Sequence, residues 1–517
     1  MWIEDELKKD ANDIQRSVRD MASDYNAKLS RTIRTRISEN KGNTTDFFND
    51  FYENLRKEEY EMYKRFSVSN DTNVKNLVMN VGNALTHEVS EIKNSANDLP
   101  HPRILSELQR DYDTRNGRQH HHRDTDADSD ADPERNRYIP YKVYRYIREK
   151  SEYCIMFKAN IYGRDVSLYF ITFPESHIAI CSKMKHGPMS SASYLCASEI
   201  AIYQIYAYKV FIWISIISRL ANKECSEKLD VYFYMTPFKK ERPTIHHNNT
   251  SDDTVLSAIH VNTGLTRNCE THGEIIVYRT EEWFKVFIHE SMHNFNIDFI
   301  DLDLRLANQE LRKTFCIPHD DILLFETYTE TWARIINVMF ETYFHKEPSG
   351  TSSISRSSDS RMNFIRGVRE KLANNAFFHV FQLVKVLDIM KLKYSQITVL
   401  TPENMSVCRK QYAEDTNVYA YYILGGILSA YALPFISWCC DNNNKGGRGK
   451  EDTGRDNIKA IRFAMSNHNL NEFIELIRNA ARDPVLLNLI DFTETSMSGH
   501  NTKINSTLKR TMRMTSE

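Results

Sequence analysis

The sequence predicts an α+β fold, and two observations carry it. Between 152 and 279 short runs rich in β-branched and aromatic residues alternate with turn formers, while before and after this stretch apolar residues recur every three or four positions. At the N-terminal end Ile14, Val18, Met21, Tyr25, Leu29, Ile33 and Ile37 share one helical face. Val74, Leu77, Val78, Val81, Leu85, Val89 and Ile92 repeat the pattern, and an aromatic cluster of Phe47, Phe48, Phe51, Tyr52 and Leu55 lies between. These spacings predict a helical N-terminal region over 1–112, suited to packing or to oligomerisation.

The run 113–136 has almost nothing to bury and reads as a disordered acidic linker. Its alternating Asp124, Asp126, Asp128, Asp130 and Asp132 suggest a calcium loop, but no glycine follows the third acid and no glutamate closes the loop. His120, His121 and His122 read as part of the solvated tract. The central domain, 137–440, opens with strands at 152–161, 166–173 and 177–182 and continues with a long aromatic helix over roughly 190–222. A polar loop with His246 and His247 separates a strand at 229–236 from those at 257–263 and 274–279. From 280 onward helices dominate, broken by a Ser-rich loop at 350–360 and a Gly/Asn-rich loop at 441–456. Helices return over 457–497, and 498–517 reads as a loose, disordered basic tail.

At 517 residues the chain exceeds what one hydrophobic core usually serves, so two to three units are expected. A hydrophobic fraction of 41% with only 16 Gly and 13 Pro excludes collagenous and wholly disordered chains. The formal charge of −2, from 67 basic and 69 acidic residues, provides no global attraction to nucleic acid. The nine cysteines contain no CxxC pair and read as reduced, buried thiols. With a charged start that lacks the layout of a signal peptide, they suggest an intracellular protein. The run from Ile200 to Leu220 is about long enough to span a bilayer, but Gln204, Lys209 and three tyrosines interrupt it. A buried helix, with no membrane span, is the expectation.

The chemistry concentrates in EEWFKVFIHESMHNF. His289 and His293 are four apart, so on a helix both imidazoles leave one face and can reach one ion. Glu290 points near that ion without ligating it, the position of a general base toward water. Trp283, Phe284, Phe287, Ile288, Met292 and Phe295 would bury the helix. By chance HExxH arises in about one such chain in a few tens, so context must add to it. A catalytic zinc takes three protein ligands, and no glycine and third histidine follow at the spacing of the extended motif. Asp298 lies too close for a third ligand. LLFETYTETWARI places Glu326 and Glu330 one turn apart among apolar neighbours, where buried carboxylates want a cation. Glu326 is taken as ligand and Glu330 as the carboxylate that orients a histidine ring. The reverse assignment stays open.

This pairing of HExxH with a later helix carrying Glu326 and Glu330 resembles the gluzincin group of zinc peptidases, with Glu330 standing where that group usually has aspartate. The resemblance implies a zincin-like, two-lobed catalytic domain: a mixed sheet with an edge strand above, helices below, and one zinc per chain in the cleft. It also implies a tyrosine that stabilises the oxyanion, for which Tyr421 and Tyr422 (with Tyr419 nearby) are the candidates. The edge strand expected to bind an extended peptide or protein substrate is 274–279. The chain also resembles metallopeptidase-like proteins of giant DNA viruses, which implies association with the virion. The expected function is zinc-dependent peptide hydrolysis. A structural or scaffolding protein that keeps the zincin-like fold, and a zinc hydrolase acting on another bond, are the alternatives.

Overall fold

The computed structural model describes residues 2–28, 42–66, 87–93, 98–100, 102–103, 139–174, 197–243, 255–317, 321–344, 358–444, 457–498 and 504–516. The expected linker at 113–136, the strand at 177–182 and His246 and His247 lie outside the described residues, as do most of the loops at 350–360 and 441–456.

Two long helices, α1 (Trp2–Lys28) and α2 (Gly42–Phe66), come first. Their apolar stripes are turned inward: Ile14, Val18, Phe47, Phe48 and Phe51 belong to the same continuous core as the rest of the protein. Phe47 meets Trp332 ring to ring at 5.4 Å. Of the second anticipated helix, Val74, Leu77, Val78, Val81 and Leu85 lie outside the described residues, and Val89 is in a strand, β1 (His87–Glu91), exposed along its length at one sheet margin. Helix α3 (Tyr141–Lys150) is followed by the hairpin β2 (Tyr153–Ile161) and β3 (Arg164–Thr172). Helix α4 (Ala197–Ser218) crosses over to β4 (Lys228–Tyr234), and β5 (Gly264–Thr266) and β6 (His272–Val277) complete a mixed six-stranded sheet of order β1-β2-β3-β4-β6-β5. The β3–β4 and β4–β6 pairs are parallel and the others antiparallel.

Alternation along the strands sends side chains to two apolar layers. Phe157, Phe170, Phe233 and Val277 face the main core, whereas Tyr232, Tyr234, Ile276 and Tyr278 face α3 through Val143 and Ile147. Among the described residues Ile200–Ser218 is the single unbroken helix long and apolar enough to cross a membrane, and 67% of that window is buried inside the protein. Its interrupting Lys209 pairs with Glu341 at 3.6 Å.

The remaining chain is helical: α5 (Trp283–Asn294), α6 (Leu324–Phe344), α7 (Ser358–Ile389), a π-helical turn at Tyr419–Leu424 that runs into α8 (Gly425–Ala430), then α9 (Ala432–Asn443), α10 (Asn467–Ala481) and α11 (Pro484–Ser498). Helix α5 packs on α6 and against β5 and β6, and α1 and α2 pack on α7.

Four expectations are corrected. The segment 257–263 is not a strand: a short helix, Ala258–Val261, precedes β5. The stretch 274–279 does not form the sheet's edge, because β6 lies between β4 and β5 and the three-residue β5 takes the margin. So short a strand has too few residues to show alternation. The tail is not loose: residues 511–516 are all buried, and Lys385 Nζ donates to the carbonyl of Leu508 at 2.7 Å and of Thr511 at 2.5 Å. Finally, Cys225 and Cys269 form a disulfide with Cα atoms 4.4 Å apart. They precede the neighbouring strands β4 and β6, a proximity set by sheet topology across 44 residues rather than by local spacing. The other described cysteines, 154, 316, 408, 439 and 440, are free and buried as expected. With one bridge present, cysteine usage no longer argues for a reducing compartment.

Candidate metal centre

Helix α5 is anchored on all sides, which fixes the direction in which its polar residues leave it. On the back, Trp213 Nε1 donates to Ser291 Oγ at 2.7 Å. At its C-terminal end Asn294 Nδ2 donates to Thr266 Oγ1 of β5 at 3.0 Å. At its N-cap the Glu282 carboxylate is buried, accepting from Lys240 Nζ at 2.8 Å and from the Met514 and Thr515 amides at 2.8 and 2.5 Å. Glu282 has φ 59°, a left-handed conformation held by these partners.

The front of α5 faces a cavity of about 510 Å³ whose walls include β5, α5, α6 and the residues around Tyr421. There His289 Nε2 lies 3.1 Å from His293 Nε2 and 3.1 Å from Glu326 Oε2, and His293 Nε2 lies 3.2 Å from Glu326 Oε2. The second nitrogen of each ring lies beside a carboxylate: His289 Nδ1 is 3.1 Å from Glu330 Oε2, close but without hydrogen-bond geometry, and His293 Nδ1 is hydrogen-bonded to Asp298 Oδ2. A carboxylate beside Nδ1 favours the proton there, so the two Nε2 lone pairs and the Glu326 oxygen converge as three acceptors. Such a set calls for a cation. Tetrahedral zinc with bonds of about 2.0–2.1 Å places its ligand atoms about 3.3 Å apart, close to the spacing found. His289, His293 and Glu326 thus fit a divalent metal.

Each carboxylate has its own support. Glu330 receives Lys285 Nζ on both oxygens at 2.9 Å and Arg334 Nε at 2.9 Å. Burial opposes its charge, yet Lys285 and Arg334 hold its pKa well below the usual carboxylate range. Asp298, fully buried, also accepts from the Ile300 amide at 3.1 Å. Burial likewise opposes charge on Glu326 and on the histidines, but their mutual attraction wins: Glu326 is lowered, His289 raised, and His293 raised well above its ordinary value by Glu326 and Asp298. Without metal, protons therefore hold the site together. Metal has to displace them, so its binding should weaken as pH falls and release protons near neutrality. Calorimetry of zinc binding in buffers of different ionisation enthalpy measures this, and a proton count of zero at neutral pH would contradict it.

Glu290 lines the cavity beside the cluster, and burial raises its carboxyl pKa, the direction a general base needs. It sits against β5: a Cβ on Gly264 would come within 2.7 Å of Val286 Cγ1 and 2.9 Å of Glu290 Cγ and Oε1. On the reading of Glu290 as a general base, Gly264→Ala is expected to push Glu290 aside and lower turnover about tenfold or more while leaving metal content unchanged. Metal analysis alongside kinetics tests it.

Of the two tyrosine candidates the structure brings one to the site. Tyr421 lines the cavity, its ring centroid 5.8 Å from that of His289. The Tyr422 hydroxyl instead donates to the Met512 carbonyl at 2.5 Å, in the core. Tyr419 is also buried away from the cavity, its hydroxyl 3.4 Å from the Cys316 carbonyl. The π turn, held by Arg334 Nη2 on the Tyr421 carbonyl at 2.9 Å, sets this difference between adjacent residues. Sequence reasoning missed Asp298 as a partner of His293, and missed Lys285, Gly264, Asn417 and Met514 on the cavity wall. Lys285 alone left a trace, one turn before His289 on the same face.

No protein-family model matches the chain, and neither a curated protein nor a solved structure is significantly similar to it.

Proposed function

We propose that this chain is a zinc-dependent peptidase with a zincin-like arrangement, in which His289, His293 and Glu326 hold the metal and Glu290 is the general base. The observation that carries the reading is the convergence of three acceptor atoms, 3.1–3.2 Å apart, beside a buried carboxylate in an open cavity. Zinc bound there would supply Lewis acidity, polarising a carbonyl and lowering the pKa of water.

The protein's own groups do the rest. Glu290 takes the proton of the attacking water and delivers it to the leaving amine nitrogen. Burial keeps the Tyr421 phenol protonated, its pKa well above the ordinary value, so it remains a donor to the carbonyl oxygen as negative charge grows. Asp298, hydrogen-bonded to His293 Nδ1, fixes the tautomer of that ring, and the Glu330 carboxylate beside His289 Nδ1 favours a proton there. The outer edge of β5 offers backbone groups to an extended peptide by strand addition.

The scaffold alternative has less to stand on, since the apolar stripes of α1 and α2 are spent in the internal core. A zinc hydrolase acting on a non-peptide bond would use the same ligands, and substrate profiling separates the two. The test is metal content by elemental mass spectrometry together with cleavage of a peptide library. One zinc per chain and chelator-sensitive cleavage support the proposal, and absence of metal after zinc is supplied overturns it. Tyr421→Phe is expected to lower kcat on the order of 10²-fold with little change in KM. An equal rise in KM with kcat intact would assign Tyr421 to ground-state binding instead.

A further inference from the structure

One end of the cavity is built differently from the rest. Lys240 and Lys285 line it there, their side chains 1% and 3% exposed, and Met514 of the buried C-terminal segment lines it beside them. Lys240 has donors to spare, and one donor of Lys285 meets only a thioether. Lys285 Nζ serves both Glu330 oxygens, and its remaining neighbour is the Met514 thioether at 3.5 Å, a weak acceptor. Lys240 Nζ has Glu282 Oε2 at 2.8 Å as its hydrogen-bond partner. The ion pairs at this end are Lys240 with Glu282, Lys285 and Arg334 with Glu330, and Arg513 with Glu281. Burial opposes the charge on Lys240 and lowers its pKa, and the neighbouring Lys285 ammonium acts in the same direction.

The polarity of the cleft says what meets that charge. Along β5, Gly264 lies against Val286 and Glu290 near the start of α5, and Thr266 lies against Asn294 at its end. Lys240 is on the Gly264 side, because Arg279 bridges the carbonyls of Lys239 and Asn262 at 2.8 and 3.0 Å. A peptide laid antiparallel on the outer edge of β5 therefore enters at Thr266 and points its C-terminus toward Lys240 and Lys285. A parallel strand would bring its N-terminal ammonium against two buried cations.

We propose, resting on the peptidase reading, that this end of the cleft binds the free α-carboxylate of the substrate, so that the enzyme cuts near the C-terminus of polypeptides and acts as a carboxypeptidase. Lys240 and Lys285 bind the carboxylate and Met514 closes the pocket behind it. The bond broken is an ordinary amide, with water adding to the carbonyl carbon and its protons leaving on the released amine and acid.

The test uses zinc-loaded Glu290→Gln protein, which binds without turning over, titrated by calorimetry with an N-acetylated tetrapeptide as its free acid and as its C-terminal amide. The acid should bind at least tenfold more tightly, and Lys240→Met in the same background should shrink the ratio to about two or less. Equal affinities, or no binding of either peptide, overturn the carboxylate pocket. Failure of the wild type to hydrolyse a peptide that it binds with the acid preference would instead overturn the peptidase reading and leave the pocket standing.

Discussion

Replacing His293 with alanine is expected to abolish metal binding, whereas Glu290→Gln should keep one zinc per chain and lose activity by about 10²–10⁴-fold, the usual worth of a positioned general base. The two residues are three positions apart on α5 and both buried, so a general disturbance of the helix would affect them alike. Their roles differ in what they touch. His293 Nε2 lies 3.1 and 3.2 Å from the other two acceptor atoms, so its loss leaves two ligands, too few for tight zinc binding. Glu290 lies outside that triangle, and glutamine there keeps volume and polarity while losing the site for a proton. Elemental mass spectrometry and kinetics on the same preparations give the answer. If Glu290→Gln also lost its metal, Glu290 would be a ligand and the division of roles would be wrong.

The second large effect is on stability. Glu330→Gln leaves Lys285 and Arg334 buried with their shared counter-charge removed, and breaking such a pair from one side costs about 3–5 kcal/mol. It also withdraws the carboxylate beside His289 Nδ1, for which a fall in metal affinity of about 10–100-fold is expected. Urea denaturation of the metal-free protein reads the first and competition with a chelator the second. A midpoint that does not move would mean that the triad is open to water in solution. If affinity fell with no loss of stability, Glu330 would act through His289 alone.

Much of this was legible before any coordinates. The spacing of His289 and His293, the place of Glu290 next to the first, and the face shared by Glu326 and Glu330 are consequences of 3.6 residues per turn. The strand runs at 152–161, 166–173 and 229–236 appear within two residues of where they were read, because β-branched and aromatic residues dominate strands buried on both faces and turn formers separate them. Three things were not legible: β5 as the edge, the bridge from Cys225 to Cys269, and the burial of residues 511–516. In each case the relevant neighbour lies far along the chain or the element is too short to carry a period. The tail reads as polar because its apolar residues, Ile504, Leu508, Met512 and Met514, are few, and its backbone groups, the carbonyls of Met512 and Thr511 and the amides of Met514 and Thr515, are engaged by distant residues.

By itself, then, the sequence determined which residues share a helical face and hence which two imidazoles and which pair of carboxylates can meet. That is local geometry, repeated every turn. Only the tertiary structure decided which glutamate faces which nitrogen, that Asp298 stands behind His293, that Tyr421 rather than Tyr422 borders the cavity, and that Lys240 and Met514 line it. Those choices depend on how α5, α6, the π turn and the C-terminal segment pack against one another, and packing is settled by the summed burial of residues hundreds of positions apart.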